Sequence, residues 1–158
     1  MSYFSEYFED LSKAIRHVDE TLLIQSADMV QDIKDSKSKI IIAGNGGSAA
    51  MASHVAVDFT KAAKVRAINF NEADLITCFG NDYGYENWIK EALVAYSDPG
   101  DLLILVSSSG QSPNIINAAE YSKDLDLELI TLSGFEHNNP LRTLGKVNFW
   151  IDSSNYNY

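Results

Sequence analysis

The sequence predicts an α/β fold in which a doubly wound parallel sheet follows a long N-terminal helix. Two observations favour this class: five short apolar runs, each bounded by Gly, Asn, Asp or Ser, and helix-like segments between them. Alternation of strands and helices implies parallel strands joined by helical crossovers. Ligands of such sheets bind beyond the carboxyl ends of the strands, so we expect any site in the loops after residues 44, 70, 108 and 134.

Residues 3–35 are predicted to form one amphipathic helix. Apolar residues recur there at three- and four-residue steps, and no Pro or Gly interrupts them. The stripe consists of Phe4, Phe8, Leu11, Ile15, Val18, Leu22 and Met29. Such a stripe needs an apolar partner, so we expect this helix to contact another subunit.

The predicted strands are nearly continuous aliphatic and β-branched runs, which are typical of strands buried on both faces. They lie at residues 39–44, 65–70, 101–108, 127–134 and 147–153. The helices predicted between them lie at residues 47–62, 84–97 and 112–125. We interpret residues 1–158 as one domain, with the N-terminal helix at 1–36 and the α/β core at 37–158.

Composition argues against several classes of partner. Twelve Lys and Arg against 22 Asp and Glu give a net charge of −10, which would repel a nucleic acid backbone. No apolar run approaches the roughly 18–20 residues that a membrane span needs, and no signal-like segment opens the chain. The only cysteine, Cys78, has no internal disulfide partner, and we expect it to be a small core residue. A cytoplasmic protein without nucleic acid or membrane partners is expected.

Two strand-to-helix loops have the composition of an anion site. "GNGGSAA" follows the first strand, and "SSSGQSPN" follows the third, where Ser112 and Pro113 suit the start of a helix. Backbone N–H groups, the helix dipole and several hydroxyls would favour a phosphate there, although serine-rich turns can also be ordinary helix caps. Neither loop has a nucleotide-binding pattern, so we expect a small phosphorylated molecule and no nucleotide.

Two further pairs of residues are candidates for chemistry. His54 and Asp58 stand four apart on the helix after the first loop, so they share a face, as a metal-ligand pair, an acid/base pair or a plain surface pair. Asn81 and Asp82 lie in "CFGNDYGYENW", which we predict to be a loop. Asp82 could accept hydrogen bonds from sugar hydroxyls, although Asn-Asp in a turn usually caps the local backbone.

The ordered segments "GNGGSAAMASHVAVDF", "FGNDYGYENW" and "LVSSSGQSPNIINA" resemble the sugar isomerase (SIS) domain, and within it the phosphoheptose isomerase branch. The resemblance implies a three-layer sandwich with a five-stranded parallel, flavodoxin-like sheet. It implies a homotetramer with active sites between subunits, while the amphipathic stripe also allows a homodimer through the N-terminal helix. The implied reaction converts sedoheptulose 7-phosphate to D-glycero-D-manno-heptose 7-phosphate, which feeds lipopolysaccharide or capsule synthesis.

The resemblance also assigns roles to residues. The phosphate would be held by Ser107, Ser108, Ser109 and Ser112, and the rest of the substrate would be lined by Asn45, Gly46, Gly47, Ser48, Asn81 and Asp82. In members that bind zinc, the ligands would include His54 and Asp58. Asp58 would also be the base that moves a proton between adjacent carbons through an enediol.

The chain departs from the family pattern in two places. Asp58 replaces a Glu, and a carboxylate set back by about 1 Å can lose on the order of a hundredfold in rate. The family's last helix, which supplies a Gln and a second His, has no counterpart here, and we interpret the sequence as truncated. These departures leave open an alternative, a non-catalytic SIS module that binds a sugar phosphate for regulation or assembly.

Overall fold

A computed structural model describes residues 2–153 of the chain. It contains a five-stranded, entirely parallel sheet in the order β2–β1–β3–β4–β5. The strands are β1 Lys39–Gly44, β2 Arg66–Asn69, β3 Leu102–Ser107, β4 Glu128–Ser133 and β5 Val147–Trp150. Each lies within a segment predicted as a strand, so the predicted α/β class is confirmed.

Six α-helices surround or precede the sheet within residues 2–153. They are α1 Tyr3–Arg16, α2 Glu20–Ser36, α3 Gly47–Asp58, α4 Ala73–Tyr83, α5 Trp88–Tyr96 and α6 Pro113–Tyr121. A π-helical turn, Phe59–Ala63, continues α3, and a 3₁₀ turn, Pro140–Thr143, precedes β5. None of the helices in this part of the chain is long and apolar enough to cross a membrane.

The core has two halves, one on each face of the sheet. Alternate strand residues such as Ile40, Ile42 and Leu102 face α2 and α3, whereas the intervening Ile41 and Leu103 face α5 and α6. Period-two alternation with both sets buried is what a sheet covered on two sides requires. The three-layer architecture therefore follows from the unbroken aliphatic runs.

The N-terminal helix is present but interrupted at residues 17–19. His17 ends α1, and its Nδ1 lies 2.7 Å from the carbonyl oxygen of Lys13. Asp19 then begins α2, because its carboxylate accepts a hydrogen bond of 2.8 Å from the backbone N–H of Thr21. A side-chain cap of this kind ends one helix and starts another without Pro or Gly, which is why the apolar pattern alone predicted a single helix.

The two N-terminal helices differ in what they bury. Met29 and Ile33 of α2 pack in the core beneath the sheet, whereas α1 has no buried residue. Its apolar side chains Phe4, Phe8 and Ile15 are 61–68% exposed. The amphipathic stripe of α1 is therefore uncovered in the isolated chain.

Candidate active site

The first loop of the site connects β1 to α3. Gly46 adopts a positive φ of 54°, and α3 begins at Gly47, so the chain turns within two residues. The backbone N–H of Ser48 closes this turn on the carbonyl oxygen of Asn45 at 3.0 Å. Asn45 is half-buried, and its amide is the one long polar side chain between Gly44 and Ser48.

The second loop connects β3 to α6 and carries the predicted serines. Ser107 ends β3, is 5% exposed, and donates a hydrogen bond of 3.3 Å to the hydroxyl of Ser112. Ser109 accepts a hydrogen bond of 3.2 Å from the backbone N–H of Gln111, whereas Ser108 is exposed. Ser112 occupies the predicted N-cap position, but its hydroxyl makes no hydrogen bond to the backbone of α6.

A buried amide supports this serine loop from below. Gly110 has a φ of 61°, and a Cβ built on it would lie 1.9 Å from Oδ1 of Asn139. Asn139 is 2% exposed, and its Nδ2 donates to the carbonyl oxygens of Gly134 and Glu136 at 3.2 and 2.8 Å. The loop after β4 therefore fixes the turn that positions the serines.

Two asparagine side chains join the glycine loop directly to the helix of the serine loop. Nδ2 of Asn45 donates to Oδ1 of Asn114 at 2.9 Å, and Nδ2 of Asn114 donates back to Oδ1 of Asn45 at 2.8 Å. The hydroxyl of Tyr85 donates to the same Oδ1 of Asn45 at 3.0 Å. The expectation that the loops after β1 and β3 meet at one sheet edge is confirmed.

Sequence reasoning missed both Asn114 and Tyr85. Asn114 is 2% exposed in the first turn of α6, and it lies inside the quoted segment "SSSGQSPN". A polar residue next to the apolar face of a helix start was a signal that could have found it, since a buried amide needs a partner. Nothing local to Tyr85 reveals its contact, which joins residues 40 positions apart.

The loop after β2 also reaches this edge. Nδ2 of Asn71 donates to the carbonyl oxygen of Ala49 and to the hydroxyl of Ser53, both at 2.7 Å. These contacts fasten the start of α3 to the end of β2. The loops after β1, β2 and β3 therefore contact the N-terminal parts of α3 or α6. The loop after β4 supports the serine loop through Asn139.

His54 and Asp58 lie on one exposed face of α3, as the spacing predicted. Nε2 of His54 is 3.4 Å from Oδ2 of Asp58, and the side chains are 79% and 60% exposed. A π-helical turn starts directly after Asp58, an irregularity that is frequent near functional sites. The pair is thus accessible to a ligand or to another protein chain.

A zinc site requires more donors than this pair supplies. Zinc in proteins takes three or four protein ligands, usually from His, Cys, Asp and Glu. Within residues 2–153, no group of three or more such side chains is placed to hold a metal ion. These residues alone do not fit a zinc site.

The segment around Asn81 and Asp82 was predicted as a loop, and that prediction is wrong. Both residues lie in the last turn of α4, which ends at Tyr83. Nδ2 of Asn81 donates to Oδ1 of Asp82 at 2.8 Å, and both side chains are exposed. Turn-forming residues concentrate at a helix end as well as in a loop, and here the apolar residues of α4 that pack on the core decide for a helix.

Cys78 is a second correction, because it is exposed rather than part of the core. Leu75, Ile76 and Phe79 are the residues of α4 that pack against the core. Cys78 falls on the flank of that face, and its Sγ lies 3.8 Å from Oδ2 of Asp82.

Comparison with known proteins identifies the family. A model of the SIS domain matches residues 3–134. A phosphoheptose isomerase of Aliarcobacter butzleri is 35% identical over 155 residues, which cover 94% of this chain and 78% of that protein. The chain is also similar to the structure of phosphoheptose isomerase GmhA from Neisseria gonorrhoeae, with a TM-score of 0.82, 28% identity, and coverage of 94% and 80% of the two chains.

A phosphoheptose isomerase from Francisella tularensis shares the fold at a TM-score of 0.86 and 22% identity, with 98% of this chain and 85% of that chain covered. The chain belongs to the SIS domain family. Within that family its relatives place it in the phosphoheptose isomerase branch, which makes it an enzyme of the phosphosugar isomerase class.

Proposed function

We propose that this chain converts sedoheptulose 7-phosphate to D-glycero-D-manno-heptose 7-phosphate. The observation that carries the proposal is the paired hydrogen bonding of Asn45 and Asn114, which joins the glycine loop to the helix that follows the serine loop. We take the space between these loops, at the carboxyl ends of β1 and β3, as the substrate crevice. The names of its relatives support a heptose phosphate as the substrate.

The serine loop is the proposed phosphate site. Ser107, Ser109 and Ser112 place three hydroxyls around the start of α6, and Ser108 is exposed beside them. The hydroxyl of Ser112 leaves the backbone of the first helical turn uncapped, so those N–H groups and the helix dipole favour an anion there. A phosphate anchored at this end leaves the sugar chain to extend toward the glycine loop.

Asp58 is the proposed base. In the reaction its carboxylate takes the proton from C1 of the ketose and returns it to C2, while O1 loses a proton and O2 gains one. The intermediate is an enediol, and the carbon skeleton and the overall oxidation state of the sugar do not change. Asp58 is exposed and lies on the helix that starts at the glycine loop, so it is accessible for this transfer.

Zinc binding is a separate proposal, for which residues 2–153 of one chain supply only part of the ligand set. His54 and Asp58 would supply two ligands, and further ligands would have to come from outside residues 2–153 of one chain. No step of the proposed reaction depends on the metal.

Self-association through α1 is part of the proposal. The exposed apolar stripe of α1 is uncovered, and the exposed face of α3 that carries His54 also carries Met51 and Val57, which are 44% and 57% exposed. Apolar side chains around a polar pair are typical of a surface that a second copy covers. An active site between subunits would account for both features.

The test is turnover of sedoheptulose 7-phosphate by the full-length chain, followed by NMR. We expect the aldose product with the wild-type chain and a fall in kcat of at least about a hundredfold in Asp58→Asn, because a positioned base contributes roughly 10²–10⁴ in rate. Asp124→Asn is the matched control, since Asp124 is exposed in the turn after α6, at the opposite edge of the sheet.

Two outcomes would contradict the proposal. Equal kcat in Asp58→Asn and Asp124→Asn would remove Asp58 as the base. Sugar phosphate binding without turnover by the wild-type chain, with zinc supplied, would instead favour the non-catalytic module, which the replacement of Glu by Asp58 also favours.

A further inference from the structure

We propose that Tyr85, together with the buried Asn114, is a positioning residue that fixes the amide of Asn45 as a hydrogen-bond donor to the sugar. This inference rests on the proposed function, since it names how one residue of the same crevice is oriented. Neither Tyr85 nor Asn114 is among the residues that the family resemblance assigns to the site.

The paired amides account for most of the hydrogen-bonding capacity of Asn45. An asparagine side chain offers two N–H donors and an oxygen with two lone pairs. The oxygen of Asn45 accepts from Nδ2 of Asn114 at 2.8 Å and from the hydroxyl of Tyr85 at 3.0 Å. One N–H of Asn45 donates to Oδ1 of Asn114 at 2.9 Å. One N–H of Asn45 is therefore left for a ligand, and no lone pair is.

Helix α6 carries one partner of Asn45, Asn114, and holds the segment next to the other, Tyr85. Asn114 is in the first turn of α6, and Asn117, one turn later, donates to the carbonyl oxygen of Glu86 at 2.8 Å. Nδ2 of Asn117 also lies 3.2 Å from Oδ1 of Asn87. The segment that follows Tyr85 is thus fastened to the same helix that carries the buried amide.

A glycine turn directs Tyr85 back over the first loop. Gly84 directly follows the last residue of α4 and has a φ of 83°, and a Cβ built on it would lie 2.7 Å from Oε1 of Glu86. The ring of Tyr85 then lies 6.3 Å, centroid to centroid, from that of the buried Trp88. Tyr85 remains 54% exposed, so its hydroxyl contributes a contact at the crevice and little to the core.

The chemistry of the remaining N–H group defines what it recognises. A donor on Asn45 pairs with a carbonyl or hydroxyl oxygen, and the phosphate is proposed to bind at the separate serine loop. Loss of the Tyr85 hydroxyl would open a lone pair on Asn45 and loosen the amide, so the sugar would be bound less tightly while the phosphate contacts stay intact.

The experiment compares Tyr85→Phe with Tyr83→Phe, a matched loss of a hydroxyl from an exposed tyrosine two residues away. Calorimetric titration of each full-length chain uses sedoheptulose 7-phosphate and, separately, inorganic phosphate. We expect Tyr85→Phe to weaken sugar phosphate binding about three- to tenfold and to change phosphate binding less than about twofold. Tyr83→Phe should bind both as the wild-type chain does.

A second measurement needs no ligand. The side-chain amide signals of Asn45 in a ¹H–¹⁵N spectrum should move in Tyr85→Phe and stay in place in Tyr83→Phe. Any one of three results for Tyr85→Phe would overturn this inference alone. They are unmoved amide signals, wild-type affinity for the sugar phosphate, and an equal loss of affinity for phosphate. A wild-type chain that binds no sugar phosphate would overturn the proposed function and this inference with it.

Discussion

At the scale of single residues, the conformation of the serine loop depends on a glycine and an asparagine that are not among the predicted substrate-binding residues. Gly110 adopts a left-handed backbone conformation directly against the buried amide of Asn139. Because Asn139 is held by the loop after β4, it has little freedom to move away. The geometry of the proposed phosphate site is thus set by residues outside the list of serines.

Gly110→Ala should destabilise the fold strongly. Alanine costs about 1–2 kcal/mol in the left-handed conformation, and the added methyl would overlap Oδ1 of Asn139. We expect a fall of at least about 3 kcal/mol in the free energy of unfolding, measured by urea denaturation, with weaker phosphate binding.

Gly100→Ala is the control, because Gly100 has a φ of 84° but its nearest neighbour would be 3.9 Å from an added Cβ. In that variant the free energy of unfolding should fall only by the cost of holding alanine in the left-handed conformation, about 1–2 kcal/mol. Equal losses in the two variants would show that Asn139 yields and does not support the loop.

At the scale of elements, the strands could be predicted and some helices could not. Unbroken runs such as residues 39–44 and 101–108 specify buried strands through composition alone, and the observed strands fall inside them. Helix α4 was missed because Asn81, Asp82 and Gly84 favour turns locally, whereas packing of Phe79 on the core favours a helix. Tertiary contact overrides local propensity there.

The sequence predicted which loops meet at the candidate site, but not the side-chain contacts that join them. Glycines and serines that directly follow strands predict a ligand site from local sequence alone. The contacts of Asn45 with Asn114 and Tyr85 join residues 69 and 40 positions apart, and no local pattern encodes such pairings. The relative positions of the candidate site residues are therefore fixed only once the sheet is assembled.

Helix α1 carries a prediction about assembly. Its stripe is exposed and none of its residues is buried, so the chain should associate through this helix. Size-exclusion chromatography with light scattering should give a mass that is a multiple of 17.5 kDa. The double variant Phe4→Ser with Phe8→Ser should shift the population toward smaller species and retain the far-UV circular dichroism of the folded core.

Asp10→Ser, which alters the polar side of α1, should leave the mass unchanged. A wild-type monomer, or an unchanged mass in the double phenylalanine variant, would contradict a role of α1 in association.

At the scale of the whole molecule, an ion cluster closes the edge of the sheet opposite the site. Nζ of Lys39 lies 2.5 Å from Oδ2 of Asp98 and 2.6 Å from Oδ2 of Asp101, which is 1% exposed. The carboxylate of Asp101 also accepts hydrogen bonds from the backbone N–H groups of Lys39 and Asp98 at 2.9 and 2.8 Å. The starts of β1 and β3 are joined by this cluster.

The cluster makes stability depend on pH in a defined direction. Its hydrogen bond to Lys39, aided by the charge of that amine, lowers the pKa of Asp98 below its ordinary 3.8. Burial alone lowers the pKa of Lys39, but hydrogen bonds to Asp101 and Asp98 outweigh it, so the pKa rises above 10.5. The contribution of Asp98 is therefore present above pH 3.8 and is lost as the pH falls through its lowered folded-state value. That of Lys39 is lost as the pH rises through its raised value.

Asp98→Asn tests the acid side of this dependence. Urea denaturation should show the wild-type chain more stable than the variant at about pH 6, with the difference shrinking as the pH falls below 3.8 and through the lowered pKa of Asp98. A difference that is constant over this range would show that the carboxylate of Asp98 does not contribute through its charge.

The order of the strands has a consequence for how the enzyme folds. β1 and β3 are neighbours in the sheet, yet β2, α3, α4 and α5 intervene in the chain, and Asn45 meets Asn114 across 69 residues. Closing a loop of that length is slow relative to forming a helix, so we expect the contact between Asn45 and Asn114 to form late in folding. We therefore expect substrate to bind only to molecules that have reached the native state. Substrate added during refolding would stabilise those molecules by mass action without speeding the early folding steps.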